Sequence, residues 1–314
     1  MKVGVIGYGN VGMAVFRELQ NMEGISELSL IGRSKERMAA EIEDNLDGAV
    51  LRETHTPRLT YGGYEKAAGA DILIYTVGVP VKSGEKAPGR LSITQANADV
   101  ACEVFRELNK SMTNPIIIVV SNPVDIITAV IQKETGLPRE RVIGSGTLLD
   151  TARFVCRIAS ILEISPRSVD AMVLGEHGNS SVAIISAIRI LGMTLDEYYQ
   201  SELGFDMSFN REQIHKAVTW AGCRIFQGKG FTSYGIASSV AKIVSCVLHD
   251  TREILPVSVL LNGEYGLRDV ALSVPCAVGS NGIVSIKQIR MAEDEAAAFA
   301  KSAEILQDAY DSIK

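Results

Sequence analysis

The chain has 314 residues, of which 46% are hydrophobic and 22% charged, and this length is enough for about two compact cores. Such a composition excludes a disordered, collagen-like or coiled-coil protein. The 31 Lys and Arg residues and 37 Asp and Glu residues give a formal net charge of −6, which argues against a general affinity for nucleic acid or for an anionic membrane.

The cysteines and the N-terminal segment bear on where the protein is kept. The five cysteines lie far apart and show no C-x-x-C spacing, so the sequence indicates neither a disulfide framework nor a zinc site. No apolar run approaches the roughly 20 residues of a membrane span, and residues 3–6 read as a strand with no room before it for a signal-peptide core. We therefore expect a cytoplasmic protein with a small-molecule partner and with no metal, nucleic-acid or membrane partner.

Short β-branched runs alternate with longer amphipathic patterns in the first half of the chain. The predicted strands lie at residues 3–6, 28–31, 72–77 and 116–120. Helices are predicted from about residue 11 and over residues 35–45 and 92–108. This alternation predicts an α/β fold, in which a Rossmann-type, doubly wound parallel sheet carries helices on both faces.

The pattern loosens after residue 144. A long helix is predicted at 148–162, a short strand at 171–174 and a terminal helix at 294–313, with mixed structure between them. No linker of low complexity separates the two halves. We therefore expect two domains with a shared interface: a dinucleotide-binding Rossmann domain at 1–144 and a second, α+β catalytic domain at 145–314.

A glycine-rich segment, Gly7-Tyr8-Gly9-Asn10-Val11-Gly12, follows the first predicted strand directly and opens the first predicted helix. This context is what makes a G-x-G-x-x-G motif informative. Gly7 permits the tight turn, Gly9 lets the main chain approach a pyrophosphate, and Gly12 allows the helix to pack closely on the sheet. The segment is therefore predicted to bind a dinucleotide; the alternative is a glycine-rich turn without a ligand.

The end of the second predicted strand departs from the NAD-binding pattern. An acidic residue that bonds the adenosine ribose is expected about 20 residues after the glycine motif, but Gly32 stands there and no carboxylate lies between Glu27 and Glu36. Arg33 and Ser34 follow, and a guanidinium beside a hydroxyl suits a 2′-phosphate. The sequence therefore predicts a preference for NADP(H). The alternative is that Arg33 is a solvated turn residue and that NAD(H) serves as well.

Candidate catalytic side chains follow in the second half. Asp150 and Arg153 are three residues apart on a predicted helix and therefore neighbours on one face. His177, one of four histidines, lies in a glycine-flanked turn after a short predicted strand, where an imidazole can face a cleft. Asn122 follows the strand predicted at 116–120, and ligands of open α/β sheets bind outside the carboxyl ends of the strands. Each of these features alone is more often structural, but together they indicate a site.

Five motifs occur in a fixed order along the chain, at residues 7–12, 120–125, 144–153, 175–178 and 228–235. In this order they resemble the lactate/malate dehydrogenase family, and the resemblance covers nearly the whole chain. The chain is most similar to the branch that contains the L-lactate and L-2-hydroxyisocaproate dehydrogenases.

The resemblance implies a role for each candidate residue. His177 would give a proton to the carbonyl oxygen of a 2-oxo acid as hydride arrives from the nicotinamide, and Asp150 would hold the imidazole tautomer and stabilise its charged form. Arg153 would clamp the substrate carboxylate, and Asn122 would bond the substrate oxygen and border the cofactor. Arg90, on a loop that closes over the substrate in this family, would polarise the carbonyl.

The same loop departs from the family pattern at the position that selects the substrate. Counting from Gly78, which is assigned to the cofactor site, places Val81 at that position, and counting back from Arg90 also supplies no second arginine. A dicarboxylate would need its distal charge paired. Thr232, which would face the substrate side chain, is also more like the lactate branch. The resemblance therefore implies an oxidoreductase for monocarboxylic 2-oxo acids and L-2-hydroxy acids.

Other functions stay open at this stage. One is an NAD-dependent L-lactate dehydrogenase that is strict for pyruvate, and a less favoured one is a malate dehydrogenase. An NAD-dependent glycosidase would need a metal held by cysteine and histidine, and a non-catalytic dinucleotide-binding protein would not need His177, Asp150 and Arg153. Family members are usually homodimers or homotetramers, and nothing in the spacing decides between the two.

Overall fold

The computed structural model describes residues 1–51, 56–79, 90–201, 225 and 227–313, and for residues 90–92 it describes the main chain alone. The strands are β1 Lys2–Ile6, β2 Glu27–Ile31, β3 Arg58–Gly62, β4 Ile72–Tyr75, β5 Ile116–Val119, β6 Val142–Gly144, β7 Val169–Asp170, β8 Val173–Leu174, β9 Val182–Ala183, β10 Arg189–Ile190, β11 Met193–Thr194, β12 Glu253–Asn262, β13 Arg268–Gly279 and β14 Gly282–Ile286. The helices are α1 Asn10–Leu19, α2 Lys35–Ala49, α3 Arg90–Leu108, α4 Val124–Thr135, α5 Leu148–Ile161, α6 Leu195–Ser201, α7 Tyr234–His249 and α8 Glu293–Asp311. Among these described helices, none has both the length and the apolarity that a membrane span requires.

A nine-stranded sheet organises the fold, in the order β14-β13-β12-β6-β5-β4-β1-β2-β3. The strands from β1 to β6 are parallel, and β12, β13 and β14 extend the sheet as antiparallel strands. The predicted Rossmann-type α/β fold is therefore confirmed. Small two- and three-stranded sheets formed by β7 to β11 lie in the second half.

The sequence patterns did not predict β3 or the long β12–β13 hairpin. In β3 only Gly62 is buried, so the sequence of this edge strand lacks the apolar pattern that would predict a strand. In the hairpin, Pro256 and Pro275 lie directly opposite each other, and proline within an apolar run argues against a sheet strand because it lacks the N–H that a ladder needs. Both elements therefore form because they pair with other strands, and not because of their own sequence pattern.

The strand order reverses between β1 and β4, which are neighbours in the sheet. Chain segments that leave the carboxyl ends of strands on either side of such a point diverge and open a crevice, where α/β proteins bind their ligands. The glycine segment 7–12 leaves β1, residues 76–79 leave β4, and residues 120–123 leave β5. The predicted site residues in these three segments therefore meet at this edge.

Two clusters of buried side chains form the interior. The larger follows the nine-stranded sheet through both halves of the chain and includes Ile6, Ile118 and Val257. The smaller lies under α5 and includes Phe154, Ile158 and Ile190. Helix α5 thus packs its apolar face on the second core, which leaves its opposite face for polar contacts.

An ion pair fastens the β12–β13 hairpin to the parallel strands. Strand β12 meets β6 at a single register pair, Ser258 with Gly144. Beside it, Arg139 donates hydrogen bonds to both carboxylate oxygens of Glu264, at 2.7 and 3.0 Å. These bonds lower the pKa of Glu264 to about 2. Since both side chains are largely buried, the pair is a stronger tie than a surface ion pair.

We expect Glu264→Gln to destabilise the protein by about 1.5–3 kcal/mol at neutral pH, because the charge-assisted bonds to Arg139 are lost. A carboxyl whose pKa is lowered on folding stabilises the fold above its unfolded value. The difference between variant and parent should therefore hold from pH 7 down to about 4.5 and shrink as the pH falls toward 2. Urea unfolding at several pH values measures it.

The matched control is Glu253→Gln, which removes a half-exposed partner of Lys242. This change should cost at most about 1 kcal/mol. Equal losses for the two variants would show that Arg139 and Glu264 form an ordinary surface pair.

Candidate active site

Helix α5 presents an ion pair at its N-terminal end. Asp150 lies in the first turn and Arg153 one turn later, while Phe154 and Ile158 on the other face are fully buried. Arg153 Nη1 lies 3.0 Å from Asp150 Oδ1, as the predicted i,i+3 spacing requires. Only 10% of the Asp150 side chain and 17% of the Arg153 side chain are exposed.

The loop after β8 brings His177 to the same carboxylate. His177 Nδ1 lies 2.6 Å from Asp150 Oδ2, so Asp150 contacts a cation with one oxygen and the imidazole with the other. The contact leaves Nε2 as the imidazole nitrogen not engaged with Asp150. About 29% of the His177 side chain is exposed, which is enough for a small molecule to reach it.

Main-chain contacts hold this loop in place. Gly175 pairs with Ser273 of β13 through two hydrogen bonds of 3.0 Å, and it has a φ of 86°, which an L-residue adopts only with strain. The N–H of Glu176 donates to Ser302 Oγ of α8 at 2.8 Å. The position of His177 is therefore set by two distant elements as well as by Asp150.

The environment shifts the pKa values of the pair in opposite directions. Burial favours the neutral imidazole, but the hydrogen bond and charge of Asp150 outweigh it and raise the pKa of His177 above its usual value. Burial likewise favours the neutral carboxyl of Asp150, but its bonds and charge interactions with His177 and Arg153 outweigh burial and lower its pKa. The arrangement therefore favours a protonated imidazole beside a fixed anion.

A cavity of about 470 Å³ joins five of the seven predicted catalytic and substrate-binding residues. His177, Asp150, Arg153, Asn122 and Thr232 all line it, with Val11 from the glycine segment. The sequence reasoning did not single out the other lining residues, which are Val120, Ser145, Gly146, Leu149, Gly178, Asn179, Ser181, Gln227 and Ile236. Five of them, Val120, Ser145, Gly146, Leu149 and Gly178, lie within the motifs of the sequence analysis but were given no role there. The other four lie within four residues of a motif or of Thr232.

A second cavity, of about 370 Å³, adjoins the first and shares Val11, Val120 and Asn122 with it. Gly78, predicted to bind the cofactor, lines it. Asn97, which the sequence reasoning missed, is buried here: its Nδ2 donates to the carbonyl of Asn122 at 2.8 Å.

Two of the predicted catalytic and substrate-binding residues, Val81 and Arg90, are not placed in either cavity. Val81 lies outside the described residues. Arg90 begins α3, and its side chain also lies outside the described part of the structure. Within the described ranges, no group of three or more His, Cys, Asp or Glu side chains is arranged to hold a metal ion.

The glycine segment has the geometry that a bound pyrophosphate requires. Gly7 has a φ of 105°, and a Cβ at Gly12 would collide with the carbonyl of Gly7. At Gly9 no atom lies near the place of a Cβ, so the main chain is open to close approach. No side chain caps the N-terminus of α1, and no acidic residue lies in its first turn. These residues fit a dinucleotide phosphate group.

At the end of β2, Tyr8 covers Gly32. A Cβ at Gly32 would meet the Tyr8 ring, and Tyr8 Oη accepts a hydrogen bond from the N–H of Ser34 at 3.2 Å. Arg37, a second guanidinium that the sequence reasoning missed, lies 5.3 Å from the centre of the same ring. Arg33 is exposed and, among the described residues, forms no ion pair.

We expect Asp150→Asn to lower the pKa of His177, because the amide keeps a hydrogen-bond acceptor near Nδ1 but removes the charge. The parent should titrate above the usual histidine value and the variant below the parent. Two-dimensional NMR of the imidazole C–H groups across pH measures both, and a His177→Asn variant identifies the His177 signal among those of the four histidines.

Asp170→Asn is the control, because it removes an exposed carboxylate from the same half of the chain. An unchanged His177 pKa in Asp150→Asn would mean that the contact does not govern the imidazole.

Comparisons with known proteins place this geometry in a family. Residues 1–144 match the family model described as lactate/malate dehydrogenase, NAD binding domain. Residues 147–314 match the one described as lactate/malate dehydrogenase, alpha/beta C-terminal domain.

Similar proteins are named L-lactate dehydrogenases. One from Nitratidesulfovibrio vulgaris is 37% identical over 306 residues, 97% of each chain. L-lactate dehydrogenase 1 of Clostridium acetobutylicum is 36% identical over 312 residues, which cover 99% of this chain and 98% of that one. The crystal structure of the minor L-lactate dehydrogenase of Enterococcus mundtii in a ligand-bound form is 36% identical, has a TM-score of 0.92, and is matched over 100% of this chain and 98% of that chain. The chain belongs to the lactate/malate dehydrogenase family, as an oxidoreductase of the L-lactate dehydrogenase type with a domain that binds a nicotinamide cofactor.

Proposed function

We propose that this chain is an L-2-hydroxy acid dehydrogenase that prefers NADP(H) and acts on monocarboxylic 2-oxo acids, of the L-lactate or L-2-hydroxyisocaproate type. The observation that carries the proposal is the contact of one buried carboxylate, Asp150, with both His177 and Arg153 at the wall of a single cavity. A proton donor and a carboxylate clamp thereby face one small molecule.

The proposed roles follow from these positions. The nicotinamide, when bound, supplies hydride to the carbonyl carbon. His177 gives its proton to the carbonyl oxygen, and Asp150 keeps Nδ1 protonated so that Nε2 faces the cavity. Arg153 pairs with the substrate carboxylate, and Asn122 orients the reacting oxygen. Arg90 is assigned the polarisation of the carbonyl from its match to the family motif.

The lining of the cavity supports a monocarboxylic substrate. Among its described lining residues, Arg153 is the guanidinium available to a carboxylate, and no lysine joins it. Leu149 and Ile236 supply apolar surface, with Thr232 nearby. Since a second buried carboxylate would need its own partner, this lining favours an uncharged substrate side chain. Val81 is proposed to contact that side chain from the loop.

The adenosine end supports NADP(H). The ring of Tyr8 occupies the side of Gly32 from which a ribose-binding carboxylate would project, so the site has neither the acid nor room for it. Arg33 and Ser34 offer a guanidinium and a hydroxyl at the same turn, and Arg37 lies next to them. A phosphate monoester can accept bidentate hydrogen bonds from arginine, whereas the ribose hydroxyl of NAD(H) has no charge to attract one.

Organisation and assembly are part of the proposal. We assign residues 1–144 to the cofactor domain and 145–314 to the catalytic domain, in a cytoplasmic homodimer or homotetramer. Exposed apolar side chains near the end of α2 support self-association: Leu46, Val50 and Leu51 are 46%, 84% and 87% exposed.

We expect Arg33→Ala to lower kcat/KM for NADPH by about 10- to 100-fold, the loss of one charge-assisted contact, and to leave kcat/KM for NADH nearly unchanged. Initial rates with each cofactor at a saturating 2-oxo acid measure it. The control is Arg58→Ala, which removes an exposed arginine from the opposite end of the neighbouring strand β3.

Converting the site to NADH use requires two changes. Gly32→Asp alone would collide with Tyr8, so the acid should be added in a Tyr8→Ala background. Gly32→Asp with Tyr8→Ala should then favour NADH relative to Tyr8→Ala alone. If the parent prefers NADH, or if Arg33→Ala affects both cofactors equally, the NADP(H) assignment is wrong.

We expect pyruvate and 4-methyl-2-oxopentanoate to be reduced with higher kcat/KM than oxaloacetate. Arg153→Lys should lower kcat/KM by about 100-fold or more, because lysine keeps the charge but cannot form the two-pronged contact. Arg157→Lys, an exposed change one turn further along α5, is the control. A higher kcat/KM for oxaloacetate would instead identify a malate dehydrogenase.

A further inference from the structure

Asp125 is a buried carboxylate close to the proposed active site but outside its cavity. It is the second residue of α4 and is only 2% exposed. Its Oδ2 accepts a hydrogen bond from the main-chain N–H of His177 at 2.8 Å. Because Asp125 does not line the cavity, it has no contact with a substrate there and acts through His177.

The contact ties together two walls of the cavity. Helix α4 begins at Val124, directly after the segment that holds Asn122. The carboxylate that anchors the His177 main chain is thus three residues from the side chain proposed to orient the substrate oxygen. Any shift of α4 would move Asn122 and the histidine loop together, so Asp125 fixes the spacing between them.

Few charged groups surround His177 and Asp125, and their effects on each group partly cancel. Asp150, Asp125 and Arg153 face His177; the two carboxylates favour its charged form and Arg153 opposes it. His177 and Glu176 face Asp125, and the hydroxyl of Ser258 lies beside it. Burial raises the pKa of Asp125 to about 6, so at neutral pH the group is an anion that is bonded to the His177 main chain and interacts electrostatically with the imidazole.

We infer that Asp125 is a second positioning carboxylate for His177: it holds the main chain of the histidine as Asp150 holds the ring, and its charge helps to keep the imidazole protonated. The inference rests on the proposed role of His177 as the proton donor. A carboxylate is needed rather than a neutral acceptor, because Asn or Ser would make the same hydrogen bond to the N–H without supplying the charge.

The test separates the effect of the Asp125 charge from the effect of its hydrogen bond to the His177 main chain. Asp125→Asn keeps an oxygen that accepts from the His177 N–H and turns its amide toward Ser258, whereas Asp125→Ala removes both functions. In Asp125→Asn the pKa of His177, measured by NMR in the absence of substrate, should fall by about half a unit to one unit. The high-pH limb of kcat/KM for 2-oxo acid reduction should move to lower pH by the same amount. Below that limb kcat should stay within about threefold of the parent, while Asp125→Ala should lower kcat at every pH.

The matched control is Glu295→Gln. Glu295 is also a buried carboxylate in the first turn of a helix, α8, and it accepts a hydrogen bond from the main-chain N–H of Ser186 at 3.0 Å, away from the cavity. This change should leave the His177 pKa unchanged. A shift as large in Glu295→Gln as in Asp125→Asn would overturn the inference, since it would show a general effect of removing a buried acid.

Ser258→Ala provides a second route if the Asp125 variants do not fold. Removing the hydroxyl beside Asp125 weakens its ionised form, so the His177 pKa should fall by a smaller amount in the same direction. An unchanged His177 pKa in Asp125→Asn, or in Ser258→Ala where that is the variant that folds, refutes the inference. Since the NMR readout needs no turnover, lack of 2-oxo acid reduction with either cofactor would refute the proposed function and leave the NMR result to decide the role of Asp125.

Discussion

The bond between Asp150 and His177 is the constraint on which the rest of the site depends. A carboxylate with 10% of its side chain exposed is costly to bury unless its oxygens are paired, and His177 and Arg153 each take one of them. To make this contact, α5 must meet the loop after β8, and that loop is held in turn by Ser273 of β13 and Ser302 of α8. The hairpin that contains β13 joins the parallel strands through β12 and β6. A single polar contact is therefore supported by both halves of the chain.

The adenosine end is governed by a steric constraint. Position 32 lacks the ribose-binding acid, and the ring of Tyr8 lies over it. The two observations are linked, because any side chain at position 32 would collide with that ring. Tyr8 is also the variable residue between two glycines of the phosphate-binding segment. The predicted phosphate site and the predicted ribose site are thus bordered by one short stretch of chain. Arg33 and Arg37 lie at the rim of this stretch: Arg33 is exposed, and Arg37 contacts the Tyr8 ring and lies 3.9 Å from Glu41.

Much of this protein was predictable because its signals are local. The glycine segment, the i,i+3 spacing of Asp150 and Arg153, and the alternation of β-branched and amphipathic runs depend on neighbours within a few residues. Together with the family resemblance, they were enough to predict strands β1, β2, β4 and β5 and six of the residues that line the cavity. The edge strand β3 and the hairpin with paired Pro256 and Pro275 were missed, because their stability comes from distant partners and not from their own pattern.

The sequence by itself determined the class of fold, through the alternation of strand-like and helical runs, and the family, through five short motifs in a fixed order. Those motifs contain the proposed site residues Asp150, Arg153 and His177. Only the tertiary structure decided how those residues are charged and held. The pKa of His177 depends on Asp150 and Asp125, which lie 27 and 52 residues away along the chain. The space beside Gly32 depends on Tyr8, a residue of another loop. Electrostatic and steric interactions act through distance in space, and no spacing along the chain reports that distance.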